Sequence, residues 1–217
     1  MDSALGLSIA IALGSTLITA AVGIPLGALL ARKRLFGRNA LDAFISLPLV
    51  LPPTVLGYYL LVHLGRGSAI GTAYERLFGS TIVFTRTGAL IAAVVGSLPL
   101  VVKGSRAAFE SVPELLVTAA RSLGASPLRA WREIEVPLAM RGLSAALMLG
   151  FARALGDFGA TLMVAGDIPG ETRTASLAIY DAMQAGDHTA ASGLALVLTA
   201  FAFVVLYAVN RQTERRS

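Results

Sequence analysis

The stretch TAARSLGASPLRAWREIEVP, residues 118–137, interrupts a chain that is otherwise dominated by long apolar runs. It places several charged residues around a single glycine, Gly124. Of the 217 residues, 55% are hydrophobic and only 14% are charged, and the mean hydropathy is +0.72. A soluble domain of this size has no core large enough to hide so much apolar surface from water. The composition therefore predicts an all-α integral membrane protein in which residues 118–137 form a polar connector.

Outward from this stretch, five segments are apolar over about 20 residues, the length that a membrane-spanning helix needs. They are residues 4–30, 41–64, 87 to about 109, about 138–165, and 189–209. The second segment contains Pro48, Pro52 and Pro53. Because prolines free backbone carbonyls that must find other partners, we expect the second span to be bent. Nothing in the sequence marks a second domain, so residues 1–217 are predicted to form a single transmembrane domain.

Lysine and arginine are concentrated on one side of these spans, in the connectors and at the span ends that flank them. These residues are Arg32, Lys33, Arg34, Arg38, Lys103, Arg106, Arg121, Arg129, Arg132, Arg141, Arg211, Arg215 and Arg216. Because basic connectors stay in the cytoplasm, the sequence predicts an external N-terminus, a cytoplasmic C-terminus and a cytoplasmic location for residues 118–137. The net charge of +5 is therefore attributed to membrane topology and lipid contact, not to nucleic acid.

Local signals predict a first short helix in this connector. Ser111 followed by Glu114 fits a capping box, which predicts a helix over 112 to about 123. Gly124 then fits the position after a helix end that requires a left-handed backbone.

A second helix start follows at once. Ser126 and Pro127 fit an N-cap followed by proline at the first helical position. This helix is expected to run toward Ile134 and to end before Pro137, where the chain returns to the membrane. Helices of this kind either cover the base of the bundle or bind a partner, and local physics leaves both interpretations open.

The connector resembles the cytoplasmic signature of ABC importer permeases, written E-A-A-x3-G-x9-I-x-L-P. The matching residues are Ala119, Ala120, Gly124, Ile134 and Pro137, whereas Thr118 and Val136 replace the signature's Glu and Leu. The resemblance implies a type I ABC importer permease fold in which residues 110–137, the 110–137 loop, form coupling helices that dock on a partner ATPase. The residues to which it gives this role are Ala119, Ala120, Arg121, Ser122, Leu123, Gly124, Ala125, Ser126, Pro127, Ile134 and Pro137.

Two further passages narrow the resemblance. LPLVLPPTVLGYYLL, residues 47–61, and ARALGDFGATLMVAGDIPGETRTASLAIY, residues 152–180, are similar to permease subunits of molybdate ABC transporters. The resemblance implies import of a tetrahedral oxyanion, molybdate or tungstate, and a sulfate or thiosulfate permease is the alternative. An ion-gradient-driven secondary transporter is the alternative of another class. It would need broken helices in matching halves, and no later segment matches the prolines of the second span.

The resemblance also implies partners: a second copy of the chain, two ATPase subunits, an external oxyanion-binding protein and membrane lipid. The chain itself is expected to bind no cofactor and to catalyse no reaction. Its lysines, Lys33 and Lys103, do not stand in the G-K-[ST] sequence of a phosphate-binding loop. ATP and Mg²⁺ are therefore expected on the partner ATPase.

Arg153 and Asp157 are the most informative charged residues of the fourth span. They are four residues apart, which places them on one face of a continuous helix. A charge inside a membrane is costly, so either the two form an ion pair that locks the helix into the bundle, or Arg153 lines the pathway of the anion. Both readings stay open. Pro52 and Pro53 are assigned to the same candidate pathway.

Overall fold

The computed structural model describes residues 2–32 and 36–214, with side chains described for 4–32 and 36–207. The helices are α1 (Asp2–Ala31), α2 (Arg38–Val50), α3 (Pro53–Leu64), α4 (Ala69–Phe78), α5 (Arg86–Glu110), α6 (Glu114–Ser122), α7 (Pro127–Ala130), a π-helical segment (Trp131–Glu135), α8 (Val136–Leu155), α9 (Gly159–Ala165), α10 (Ala175–Gln184) and α11 (His188–Glu214). Of the predicted basic residues, Lys33, Arg34, Arg215 and Arg216 lie outside the described residues, as does the side chain of Arg211.

The long apolar helices agree with the predicted spans. Four helices of the described chain are long and apolar enough to cross a membrane: Ala4–Ala31, Arg86–Glu110, Pro127–Leu155 and His188–Tyr207. The pair α2 and α3 counts as a fifth span if the two are taken together. The chain bends by 110° between them, which is the geometry of a broken span or a re-entrant loop. The break lies at Leu51 and Pro52, so the bend predicted from the prolines of the second span is confirmed.

The fourth span differs from its prediction. It was expected to be continuous over about 138–165, but the helix ends at Leu155 and a separate helix, α9, begins at Gly159. Asp157 stabilises this break, because one of its carboxylate oxygens accepts a hydrogen bond from the backbone N–H of Thr161 at 3.0 Å. A carboxylate at this position satisfies a free donor of the first turn of α9.

Helix α5 forms the centre of the bundle, with α1 and α8 packed along it. Small residues allow close approach of the backbones. A Cβ added at Gly104 would lie 2.5 Å from the Cβ of Ala146, and one added at Gly142 would lie 2.5 Å from the Cβ of Ala108. The seam between α5 and α8 therefore depends on the absence of side chains at both glycines.

Candidate functional site

The corner of the 110–137 loop is a Schellman motif. The N–H of Ala125 donates to the carbonyl of Ala120, and the N–H of Gly124 donates to the carbonyl of Arg121, each at 3.0 Å. Gly124 has φ +93°, so the predicted left-handed conformation is confirmed. No atom lies within 4 Å of a Cβ added there. The corner therefore requires glycine for its backbone conformation and not for lack of space.

The start of the first loop helix was predicted incorrectly. Ser111 does not cap it, because Ser111 is the last residue of the α5 end and its hydroxyl donates to the carbonyl of Ala108 at 2.7 Å. Helix α6 instead begins at Glu114, with Pro113 at the N-cap position and no side-chain cap. The long apolar helix α5 continues to Glu110, which leaves Ser111 inside its terminal turn and unable to start the next helix.

The second helix start is confirmed, but the helix does not end where predicted. The Ser126 hydroxyl accepts a hydrogen bond from the N–H of Arg129 at 3.2 Å, and Pro127 occupies the first turn. The helix then continues without a break through Pro137 to Leu155. Proline removes one helical N–H donor, and a π-helical turn over Trp131–Glu135 directly precedes it. The second half of the loop and the fourth span are therefore one continuous helix, Pro127–Leu155.

The 110–137 loop exposes more apolar surface than its predicted contact residues indicate. Leu115, Leu116, Leu123 and Leu128 are exposed by 78%, 45%, 90% and 63%. Leu116 and Leu123 are seven residues apart and therefore lie on nearly the same side of the helix and its corner. Only Leu123 belonged to the predicted set. A leucine repeat at helical spacing, in a connector rich in charge, was the signal that would have identified the others.

Behind this exposed surface, the loop rests on the bundle. The indole ring of Trp131 stacks on the ring of Phe109, with 6.4 Å between ring centroids. A cavity of about 1050 Å³ separates α6 from the ends of α1 and α5, and Glu114, Arg121 and Glu135 contribute to its lining. Thr118, which replaces the signature's Glu, is exposed, and its carbonyl accepts a hydrogen bond from Ser122. Thr118 therefore provides a local backbone contact and no charge.

The two broken spans pack on each other. A Cβ added at Gly57 of α3 would lie 2.7 Å from the Cβ of Met163 of α9. A Cβ added at Gly159, the first residue of α9, would lie 2.9 Å from the Cβ of Pro53. The structure therefore brings Pro53 of the candidate pathway beside the helix that follows Asp157. The search of the sequence for a later counterpart to the broken second span missed the break between α8 and α9, because no proline marks it.

Arg153 and Asp157 form an ion pair with 2.9 Å between Arg153 Nη1 and Asp157 Oδ1. Their geometry is not that of a continuous helix face, because α8 ends at Leu155 and Asp157 lies beyond it. The Asp157 side chain is 2% exposed and that of Arg153 is 29% exposed. The second oxygen of Asp157 accepts hydrogen bonds from the N–H of Thr161 and from its hydroxyl, the latter at 2.6 Å. Thr161 was not identified from the sequence.

An ion network joins α2 to the end of α5 that leads into the 110–137 loop. Asp42 faces Arg106 at 3.2 Å and Lys103 at 3.7 Å. Glu110 pairs with Arg106 at 2.9 Å and also with Arg38. No residue of α2 is buried. Polar contacts are therefore an important part of what holds α2 on the bundle, although partly exposed pairs each contribute only about 0–1 kcal/mol.

The fold and the loop agree with a known class of membrane proteins. Residues 23–216 match the family described as the binding-protein-dependent transport system inner membrane component, and the chain belongs to this family. Among curated relatives, the molybdenum transport system permease protein ModB of Azotobacter vinelandii is 40% identical over 95% of this chain and 92% of its own length. The protein of the same name from Escherichia coli K12 is 41% identical over 92% of this chain and 88% of its own length.

Solved structures show the same architecture. A chain of the MetNI methionine ABC transporter, in an inward-facing conformation, has a TM-score of 0.77 at 19% identity and covers 99% of this chain and 94% of its own. A chain of a bacterial ABC transporter that imports alginate has a TM-score of 0.80 at 15% identity, covering 99% and 79%. At such low identity the likeness establishes the fold, which is that of the type I ABC importer permeases.

Proposed function

We propose that this chain is the permease subunit of an ATP-driven importer for a tetrahedral oxyanion, with molybdate as the first candidate and tungstate beside it. The observation that carries the substrate is the similarity to the molybdenum transport permeases, which extends over nearly the whole chain. Sulfate is the second candidate, because the probable sulfate transport system permease protein cysT of Chlorella vulgaris is 33% identical over 96% of this chain.

In this proposal the exposed leucines of the 110–137 loop bind an ATPase subunit. Apolar side chains at 45–90% exposure are costly in water and favourable in a groove on a partner. The corner at Gly124 fixes the angle between α6 and the rod that begins at Pro127. ATP and Mg²⁺ act on the partner, and the permease couples ATP-driven closure of two ATPase subunits to its own change of conformation.

The pathway forms between two copies of the chain. The surface of α2 and α3 supports this assembly, because Phe44, Val50 and Tyr58 are exposed by 71%, 80% and 55%. A two-fold dimer would cover such a surface and enclose a pathway that a single copy leaves open. An external binding protein would deliver the anion. A related-fold transporter, the bacterial alginate importer, has been solved in complex with an alginate pentasaccharide-bound periplasmic protein.

The membrane orientation in this proposal places the N-terminus outside and the C-terminus and the 110–137 loop in the cytoplasm of a bacterial or archaeal cell. Its basis is the charge pattern of the connectors. Import then proceeds by alternating access: the pathway opens outward when the ATPase pair closes around ATP, and returns after hydrolysis.

Arg153 and Asp157 have a double role in this mechanism. The buried carboxylate ties the end of α8 to the start of α9, and it also offsets part of the positive charge of Arg153. The exposed 29% of the Arg153 side chain remains able to attract an anion. A pathway must release what it attracts, so a paired arginine favours passage over tight binding.

Reconstitution of the permease with its ATPase and binding protein tests the proposal. ATP hydrolysis and uptake are measured with molybdate, tungstate and sulfate at equal concentrations. Stimulation by molybdate and tungstate supports the first candidate, whereas stimulation by sulfate alone supports the second. Uptake that needs an ion gradient and proceeds without the ATPase would overturn the proposal in favour of a secondary transporter.

A further inference from the structure

The connector between α3 and α5 contains a fixed helix, α4, at the end of α5 opposite to the 110–137 loop. The Ser68 hydroxyl accepts a hydrogen bond from the N–H of Gly71 at 2.8 Å, and Gly79 ends the helix with φ +67°. A Cβ added at Gly71 would lie 2.1 Å from the carbonyl oxygen of Gly65. The first turn of α4 therefore sits directly on the end of α3, and only glycine permits that contact.

The apolar face of α4 is packed against the bundle only in part. Tyr74 packs against the buried cluster of Leu64, Ile82 and Val83. In contrast, Ile70 and Leu77 are 55% and 78% exposed. These two residues are seven apart, which places their side chains on one face of the helix.

The adjacent Phe78 extends the exposed apolar face. It is 66% exposed and lies beside Tyr74, with 4.6 Å between ring centroids. Thr72, Glu75 and Arg76 occupy the remaining, polar side. Helix α4 is thus amphipathic. Tyr74 on its apolar face packs against the bundle, whereas Ile70, Leu77 and Phe78 on the same face stay exposed in the described chain.

The charges around α4 favour a phosphate-bearing surface. Arg66 approaches Glu75 at 3.6 Å, with its side chain 76% exposed. Arg76 is exposed and makes no ion pair with any residue that the structure describes. Exposed arginines at the rim of an apolar helix face are typical of helices that lie on a lipid surface.

The position of α4 indicates that its exposed apolar residues contact the membrane. Helix α4 begins at Ala69, five residues after Leu64, where α3 and with it the bent pair of apolar helices ends. If that pair crosses the membrane as one broken span, α4 lies where the span leaves the bilayer. The side of α3 that carries Tyr59, which is 50% exposed, is apolar as well. The helix α10 at the same end behaves differently, because it packs on α1 and α11 and fully buries Leu177.

We propose that α4 lies in the membrane–water interface, with Ile70, Leu77 and Phe78 at the boundary of the acyl chains and Arg66 and Arg76 at the level of the lipid phosphates. The exposed apolar face of α4 is thereby a lipid-binding surface and not a site for a second copy or for another protein. It anchors the end of the bent second span at a fixed depth.

Spin labels test the depth of α4. The sequence contains no cysteine, so the Leu77→Cys and Glu75→Cys variants each carry a single label, on the apolar and on the polar side. The full chain is reconstituted in vesicles of phosphatidylethanolamine and phosphatidylglycerol. Collisions of each label with oxygen, which concentrates in lipid, and with a water-soluble nickel chelate are then measured.

We expect a several-fold higher ratio of oxygen to nickel collisions at position 77 than at position 75. Equal ratios at both positions would show that both sides face water and would overturn the proposal. Shielding of position 77 from both reagents would show a protein contact and would overturn it as well. Ile70→Cys provides a second label on the apolar face, and adding Leu77→Asp to it should lower the ratio at position 70 several-fold.

Discussion

Replacing Gly124 with valine changes only the backbone conformation of the loop corner. Gly124 has φ +93° and no neighbour within 4 Å of an added Cβ, so steric clash contributes nothing. The left-handed backbone alone costs an L-residue about 1–2 kcal/mol, and a β-branched residue stands at the upper end. Such a free energy reduces the population of the corner about 5- to 30-fold relative to competing turns. We therefore expect the coupling of ATP hydrolysis to transport to decrease by the same factor, about 5- to 30-fold.

The assay is substrate-stimulated ATP hydrolysis and anion uptake by the reconstituted complex, with thermal unfolding of the purified permease measured in parallel. Stimulation and uptake should fall together while the unfolding temperature stays unchanged, because the corner is outside the membrane bundle. Gly124→Asn should lose less activity, since asparagine tolerates the left-handed conformation better than valine.

Gly186→Val is the matched control. Gly186 has φ +75°, nothing within 4 Å of an added Cβ, and a position between α10 and α11 instead of in the loop. It should carry the same backbone strain and leave coupling intact. Wild-type coupling in Gly124→Val, or an equal loss in Gly186→Val, would refute the assignment of a mechanical role to the corner.

Three further experiments probe the rest of the bundle. Arg153→Gln should lower anion uptake while the complex with the ATPase still copurifies; loss of the complex instead would mean that the ion pair is purely structural. A double-mutant cycle of Arg38→Gln and Glu110→Gln in thermal unfolding should give a coupling energy of about 1 kcal/mol or less that shrinks as salt is added, and a salt-independent value would contradict the partly exposed geometry. Gly104→Val should destabilise the bundle by about 1–3 kcal/mol through overpacking, whereas Gly193→Val, with nothing within 4 Å of an added Cβ, should leave its unfolding unchanged.

The sequence predicted the features that have strong local causes. Apolar length identified the spans, the prolines at 52 and 53 located the bend, and glycine and serine located the corner and the second start of the loop. Each of these signals acts within a few residues. They therefore remain readable without knowledge of the tertiary structure.

The features that were missed depend on contacts formed only in the folded chain. The break after Leu155 has no proline, and it persists because Asp157 is bonded both to Arg153 and to Thr161. The capping signal at Ser111 failed because Ser111 closes the last turn of α5, where its hydroxyl donates to the carbonyl of Ala108. Pro137 did not end its helix because a π-helical turn before it accommodates the missing donor.

The sequence predicted the candidate site residues less completely than it predicted the fold. The loop residues were selected by their match to a signature, which identifies Leu123 but passes over the exposed leucines at 115, 116 and 128. Exposure depends on which side of α6 faces the bundle, and that is a property of the packing. Thr161 could not be identified for the same reason, because its hydroxyl donates to Asp157 only in the folded chain.

The unbroken helix from Pro127 to Leu155 has a mechanical consequence. It contains 29 residues, so at 1.5 Å per residue it is a rod of roughly 43 Å. A tilt of only about 5° at one end displaces the other end by roughly 4 Å. If the loop contacts an ATPase and Arg153 contacts the anion, as proposed above, the two sites lie near opposite ends of one continuous helix, and a movement at one end is transmitted directly to the other.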